Sequence, residues 1–196
     1  MKKLDSSLTN MVLVLTLVAV IMGGILALVN NVTSGPIMQQ KEKALADGIR
    51  AVMLSDQVEV AATDTIDGNI IYQVTENHSP IGAAVESQTM GFGGTLRLLV
   101  GFDTEGNIRG YQLLEHAETP GLGAKADVWF QKGQKGDIVG MNPATPLKVK
   151  KDGGEVDAIT ASTITSRAFL NAVNAAYASY QQATSKAITQ TKEETL

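Results

Sequence analysis

From Met11 to Val29 the chain is almost wholly apolar, carries no charge, and has Thr16 as its one polar side chain. A helix rises about 1.5 Å per residue, so a run of this length just crosses a hydrocarbon core of roughly 30 Å. The run predicts a transmembrane helix over 11–29, preceded by a short polar segment, 1–10. A cleaved signal peptide is the competing reading. Such a peptide usually has a shorter apolar region that ends in an Ala-x-Ala-like site. Here the run leaves through Asn30-Asn31-Val32-Thr33-Ser34 without one, which favours a retained anchor. Lys2 and Lys3 precede the span, and the next basic residue is Lys41. The positive-inside rule then keeps the N-terminus cytoplasmic. Everything from Asn30 onward would face the outside of a bacterial inner membrane, the periplasm or its equivalent, so membrane lipid is an expected partner. The Gly23-Gly24 pair is small enough for a second membrane helix to approach, although glycine is common in such helices.

The remainder is long enough for one ordinary domain, in a chain of 196 residues. A net charge of −4 with no basic block argues against nucleic acid as a partner. The lack of cysteine excludes disulfides, iron–sulfur clusters and thiolate zinc sites within this chain. The two histidines, His78 and His116, have no H-x-x-x-H or similar spacing. Surface or loop positions are expected for both, and no metal site.

In chain order, Ser34-Gly35-Pro36 should break the helix or start the next one. Gln39 to Met53 reads as a stalk helix within the region 30–56. Its apolar side is Ala44, Leu45, Ile49, Val52 and Met53. A domain over 57–183 follows. Strands are expected at 58–62 and 70–74, around an Asp67-Gly68-Asn69 hairpin turn, and at 81–87. Gly91, Gly93 and Gly94 form a glycine-rich loop before a strand over 96–102. Thr104 to Asn107 turns the chain into a partner strand, 108–115. The loop lacks the Lys-Ser/Thr ending of a P-loop, so a nucleoside triphosphate site is not indicated. Thr119-Pro120-Gly121-Leu122-Gly123 is a constrained loop with exposed amides. A short helix over 126–131 carries Trp129 and Phe130, as core or as cofactor-edge aromatics. A strand over 147–150 leads through Asp152-Gly153-Gly154. The polar tail, 184–196, is expected to fray. The fold class is therefore α+β: antiparallel strands with flanking helices, behind one membrane span.

One stretch carries most of the functional signal, Asp157-Ala158-Ile159-Thr160-Ala161-Ser162-Thr163-Ile164-Thr165-Ser166-Arg167. Its hydroxyl cluster runs into Phe169, Val173, Ala176, Tyr177 and Tyr180, which recur at the spacing of one helix face. The cluster thus marks a helix start, where free N–H groups and the peptide dipoles favour an anion. A plain helix cap is the simpler account and needs only one of these hydroxyls.

The ordered pattern of acid, two spacers, hydroxyl, two small residues and Thr resembles the Asp-x-x-Ser/Thr-Gly-Ala-Thr motif of the FMN-binding domain family. Asp157, Thr160 and Thr163 match its defined positions, while Ala161 and Ser162 stand where Gly and Ala are usual. The glycine loop and the run from Glu118 through Thr119, Gly121, Leu122 and Gly123 also look like that family, in its order. The resemblance implies FMN held on Thr163 by a phosphoester bond, installed by a flavin transferase from FAD. It implies Asp157 and Thr160 as recognition elements for that enzyme. It implies that Thr160, Ala161, Ser162, Ser166, Glu118, Thr119, Gly121, Leu122, Gly123, Gly91, Gly93 and Gly94 surround the cofactor, with the phosphate near Ser166. Within the family the layout is similar to the G subunits of Rnf electron-transport complexes, with the C subunits of sodium-pumping NADH:quinone reductases as near relatives. The role implied is a flavin electron relay among the other subunits of a membrane complex, with no catalytic residue of its own. Two rival classes remain open on the residues alone. One is a membrane-anchored scaffold module; the other, a serine-type hydrolase, lacks a G-x-S-x-G elbow.

Overall fold

The computed structural model describes residues 8–193; Lys2 and Lys3, on which the orientation reading rests, and the last three residues of the polar tail lie outside it. The chain divides into two compact units, one ending at Ala44 and one beginning at Leu45.

The first unit is helical throughout its described residues and belongs to helix α1, Leu8–Met53. Side chains such as Leu13, Leu17, Val20 and Leu28 are all exposed. By length and composition α1 can cross a membrane. The expected break at Ser34-Gly35-Pro36 does not occur, and α1 runs through Pro36. A proline removes one N–H from the ladder. Thr33 Oγ1 donates to Val29 O at 2.7 Å and Ser34 Oγ to Asn31 O at 3.2 Å, neither of them the Val32 carbonyl that Pro36 leaves without its N–H.

The second unit is built on a five-stranded antiparallel meander in the order β1-β2-β3-β4-β5. Its strands are β1 Val58–Ile66, β2 Asn69–Glu76, β3 Ser79–Met90, β4 Thr95–Asp103 and β5 Ile108–His116. Two-residue turns join the first three. Asp67 (φ 51°) and Gly68 (φ 80°) turn β1 into β2, and Asn77 (φ 49°) and His78 (φ 64°) turn β2 into β3. Paired positive φ angles are what a right-twisted hairpin needs. The strands are longer than their apolar runs, because backbone pairing continues past the last buried side chain. His78 sits exposed at its turn and His116 exposed at the end of β5, where its Nδ1 accepts the Glu118 N–H at 3.3 Å.

Strand β4 is buried on both faces, which explains why it is apolar at consecutive positions. Leu98, Val100 and Phe102 face the main core with Ile71, Val85, Phe169 and Val173. Leu99 and Tyr72 face a second cluster with Ile49, Val52 and Met53 from the end of α1. A Cβ on Gly101 would stand 2.5 Å from the Val52 carbonyl oxygen, so only glycine permits that approach.

Beyond β5 comes a 3-10 turn, Gly123–Lys125, and then α2, Ala126–Trp129. Phe130 is a core residue, with no exposure and stacked on Phe169 at 4.3 Å between centroids. Tyr111 Oη donates to Ala126 O at 2.7 Å, and burial pushes that phenol up. The strand expected over 147–150 is instead one parallel bridge, Val149 to Val156, followed by a 3-10 turn, Lys150–Asp152. A run that short has no neighbour long enough to pair with. Helix α3, Thr163–Glu193, covers the main core face and continues past Thr184.

Candidate functional site

The Asp157–Arg167 stretch is ordered by its own backbone. Ile159 is buried, and its carbonyl accepts the Ser162 N–H at 3.0 Å. Closing that turn puts Ala161 at φ 62°, in the left-handed region that favours glycine. Helix α3 begins two residues later, at Thr163. Ser166 has no exposure; its Oγ accepts the Ile159 N–H at 2.9 Å and donates to Ser162 O at 3.0 Å. It therefore faces inward and fastens the turn to the helix. Both sides of its hydroxyl are already engaged.

Thr163 is half-buried, and its Oγ1 lies 3.5 Å from Lys151 Nζ. Thr160 is exposed. Asp157 accepts from Lys150 Nζ at 2.7 Å, while its backbone carbonyl accepts the Trp129 indole N–H at 2.8 Å.

Glu118, 6% exposed, joins three segments. Its Oε1 accepts the Phe92 and Gly93 N–H groups at 2.7 and 3.2 Å, and its Oε2 accepts the Thr165 hydroxyl at 2.8 Å. The surroundings leave room for nothing more. A Cβ on Gly91 would meet Oε1 at 2.1 Å, and one on Gly123 would meet Oε2 at 2.2 Å. Both glycines let the carboxylate pack at this distance from their backbone.

The segments so joined enclose a cleft of about 320 Å³, lined by Phe92, Glu118, Thr119, Leu122, Gly123 and the run 161–165. Of the expected site residues it brings together Glu118, Thr119, Leu122, Gly123, Ala161, Ser162 and Thr163. Asp157, Thr160, Gly121 and Ser166 do not line it. Gly91, Gly93 and Gly94 are not at its wall either; their loop contributes Phe92 instead. Phe92, Ile164 and Thr165 are lining residues that the sequence reading did not place in the site. The aromatic between Gly91 and Gly93 and the continuation of the hydroxyl cluster were the signals that pointed to them.

The residues fit a flat, largely apolar cofactor. Phe92, Leu122 and Ile164 are exposed by 70, 42 and 55%, an unusual amount of apolar surface around one opening. The volume is within the usual range for small-molecule sites, at its lower end. Thr163 adds a reachable hydroxyl at the start of a helix, where an attached anion is favoured. Among the described residues no group of acidic or imidazole side chains could hold a metal.

Comparison with known proteins agrees. A family model described as the FMN-binding domain matches residues 91–178, from the glycine loop into α3. The G subunit of the ion-translocating oxidoreductase complex of Yersinia pestis is 36% identical over 166 residues, covering 76% of this chain and 79% of that one. Its counterpart from Photorhabdus laumondii is 34% identical over 175 residues, covering 81% and 83%. That of Escherichia coli K12 is 33% identical over 168 residues, covering 78% and 81%. With this identity over most of both chains, and the cleft built from the matched segment, the chain belongs to the family of ion-translocating oxidoreductase complex G subunits and carries that family's FMN-binding domain.

Proposed function

We propose that the protein is an electron-relay subunit of a membrane-bound, ion-translocating oxidoreductase complex of the Rnf type, in which FMN is held on Thr163 by a phosphoester bond. In such a complex electrons pass between ferredoxin and NAD. The observation that carries the reading is the Thr163 hydroxyl, half-exposed at the edge of an apolar cleft and at the first position of a helix.

Bound FMN would supply one- and two-electron redox chemistry. The chain's own residues do the rest. Phe92, Leu122 and Ile164 offer apolar surface to the ring and keep water from it. The backbone of Thr119–Gly123 offers polar groups to its edge. Thr163 fixes the cofactor covalently, which matters for a domain outside the cytoplasm where a lost flavin is not replaced. The threonine hydroxyl is a weak nucleophile. Among the described residues no base lies within hydrogen-bond distance of Thr163 Oγ1, which meets the Lys151 ammonium instead. The proton acceptor and metal are therefore assigned to a flavin transferase, with Asp157 and Thr160, outside the cleft, as the surface it reads. Helix α1 is the anchor, with its N-terminus cytoplasmic and the domain extracytoplasmic.

The test is a denaturing gel viewed under ultraviolet light, with the full chain matured beside a flavin transferase. The wild-type band should fluoresce, and its intact mass should rise by FMN less water. Thr163→Ala should stay folded and dark. A dark, unmodified wild-type band would overturn the proposal in favour of a scaffold module.

A further inference from the structure

Lys151 is held in place from both sides. Its backbone lies in the 3-10 turn Lys150–Asp152, anchored by the buried pair Val149 and Val156. Lys150 N–H donates to Val156 O at 2.9 Å, and Asp152 N–H to Val149 O at 2.8 Å. The two neighbouring side chains are already committed. Lys150 Nζ pairs with Asp157 at 2.7 Å. Asp152 takes Arg167 in a bidentate pair, with both contacts at 2.7 Å. The Arg167 hydrogen bond also holds the Asp152 carboxyl below the usual range.

Arg167 lies four residues after Thr163, so both stand on one face of the first turns of α3. The Asp152–Arg167 pair therefore fastens the turn beside Thr163. Lys151 makes no ion pair among the described residues, and its ammonium points at Thr163 Oγ1, 3.5 Å away. A free hydroxyl does little for a cation at that distance. A phosphodiester on that oxygen would place a full negative charge within its reach.

We infer that Lys151 is the cation that receives the phosphate on Thr163, during its transfer and afterwards. This rests on the attachment reading above. In the transfer, Thr163 Oγ bonds to the flavin-side phosphorus of a flavin adenine dinucleotide. The pyrophosphate P–O bond breaks, AMP leaves, and the hydroxyl proton goes to the transferase. Both the incoming pyrophosphate and the product diester are anionic, and Lys151 is the positive charge that meets the Thr163 oxygen among the described residues. Lys150 and Arg167 are neutralised by their own acids. Lys151 is a positioning residue, acting on the phosphate and not on the ring.

The experiment uses the full-length chain in detergent, made without flavin and mixed with a purified transferase, flavin adenine dinucleotide and magnesium. Intact mass followed with time gives the initial rate of labelling. Lys151→Ala should slow it by about fivefold or more, as loss of a charge-assisted contact at a partly screened site implies. Lys151→Arg should return to within about twofold of the wild type, since the charge is kept. Added salt should narrow the gap between wild type and Lys151→Ala, whereas a purely structural defect would not respond. Lys135→Ala, an equal charge change on an exposed loop, should label like the wild type. In the loaded proteins the phosphorus-31 resonance of the diester should move in Lys151→Ala and not in Lys135→Ala. Equal labelling rates for wild type and Lys151→Ala, with an unmoved resonance, would overturn this inference alone. A wild-type chain that takes no label would overturn the attachment reading and this inference with it.

Discussion

The Thr165 hydroxyl donates to Glu118 Oε2 at 2.8 Å, tying the first turn of α3 to the loop that follows β5. The other carboxylate oxygen holds the Phe92 loop. One buried side chain thus sets the spacing of all three walls of the cleft, and the cleft's shape depends on it more than on any residue that would touch the ring.

Glu118→Ala would leave two backbone N–H groups and one hydroxyl without their acceptor. Each buried, unpaired donor costs about 1–3 kcal/mol, and water entering the vacated space recovers part of that. A net loss of about 2 kcal/mol is expected, lowering Tm by about 4–8 °C for a domain of this size. Thr165→Val, which removes only the single donor, should cost about 1 kcal/mol. Trp129 is the one tryptophan in the chain, so its fluorescence reports melting of this unit without a signal from α1. Equal melting of Glu118→Ala and wild type would show that the carboxylate is not a structural link.

Ser162 and Thr163 are adjacent hydroxyls; Thr163 matches the terminal Thr of the motif, and Ser162 stands where Ala is usual. Ser162 is 8% exposed and its carbonyl is engaged by Ser166, whereas Thr163 is half-open to the cleft. Ser162→Ala should therefore keep the covalent flavin at near wild-type yield, and Thr163→Ala should lose it entirely. Intact mass of both variants decides the matter. The reverse result would move the attachment to Ser162.

Ala161 sits at φ 62°, where an L side chain is strained by about 1–2 kcal/mol. Glycine relieves that strain but gains freedom in the unfolded chain, worth about 0.5–1 kcal/mol. Ala161→Gly should thus stabilise by about 0.5 kcal/mol. Ala161→Val should destabilise by more than about 1 kcal/mol, on the order of the penalty for a β-branched residue there. Urea unfolding of the three proteins, with m held constant, tests the order Gly, Ala, Val.

Asp103 closes the turn between β4 and β5. Burial alone would push its carboxyl up, but the Asn107 amide and the N–H groups of Asn107, Glu105 and Gly106 outweigh that and hold it below the usual range. A carboxyl lowered on folding contributes stability that is fully present above its unfolded value of about 3.9. That stability is lost as pH falls through the folded value. Wild-type Tm should fall more steeply than that of Asp103→Asn below about pH 4, and the two should run parallel above about pH 6. Parallel curves throughout would remove Asp103 from the acid response.

Several features were legible because their physics is local. The Asp67-Gly68 turn, the helix start at Thr163 and the glycines beside Phe92 each depend on residues next to one another in the chain. Two readings failed. Ser34-Gly35-Pro36 was expected to break α1, and 147–150 was expected to be a strand. Helix α1 continues through Pro36 without the N–H that proline lacks, and 147–150 meets only Val156, across a single bridge.

By itself the sequence determined that one segment is long and apolar enough to cross a membrane, since the run carries no charge over that length. It also carried the motif on which the proposed attachment rests, because a string of residue types is read without any fold. Only the tertiary structure decided which side chains meet. Nothing in the chain order joins Glu118 to Thr165, turns Ser166 inward, or brings Lys151 against Thr163. Those relationships depend on how α3 lies across the sheet and on where two loops land, and packing at long range is set by the whole core rather than by any one stretch.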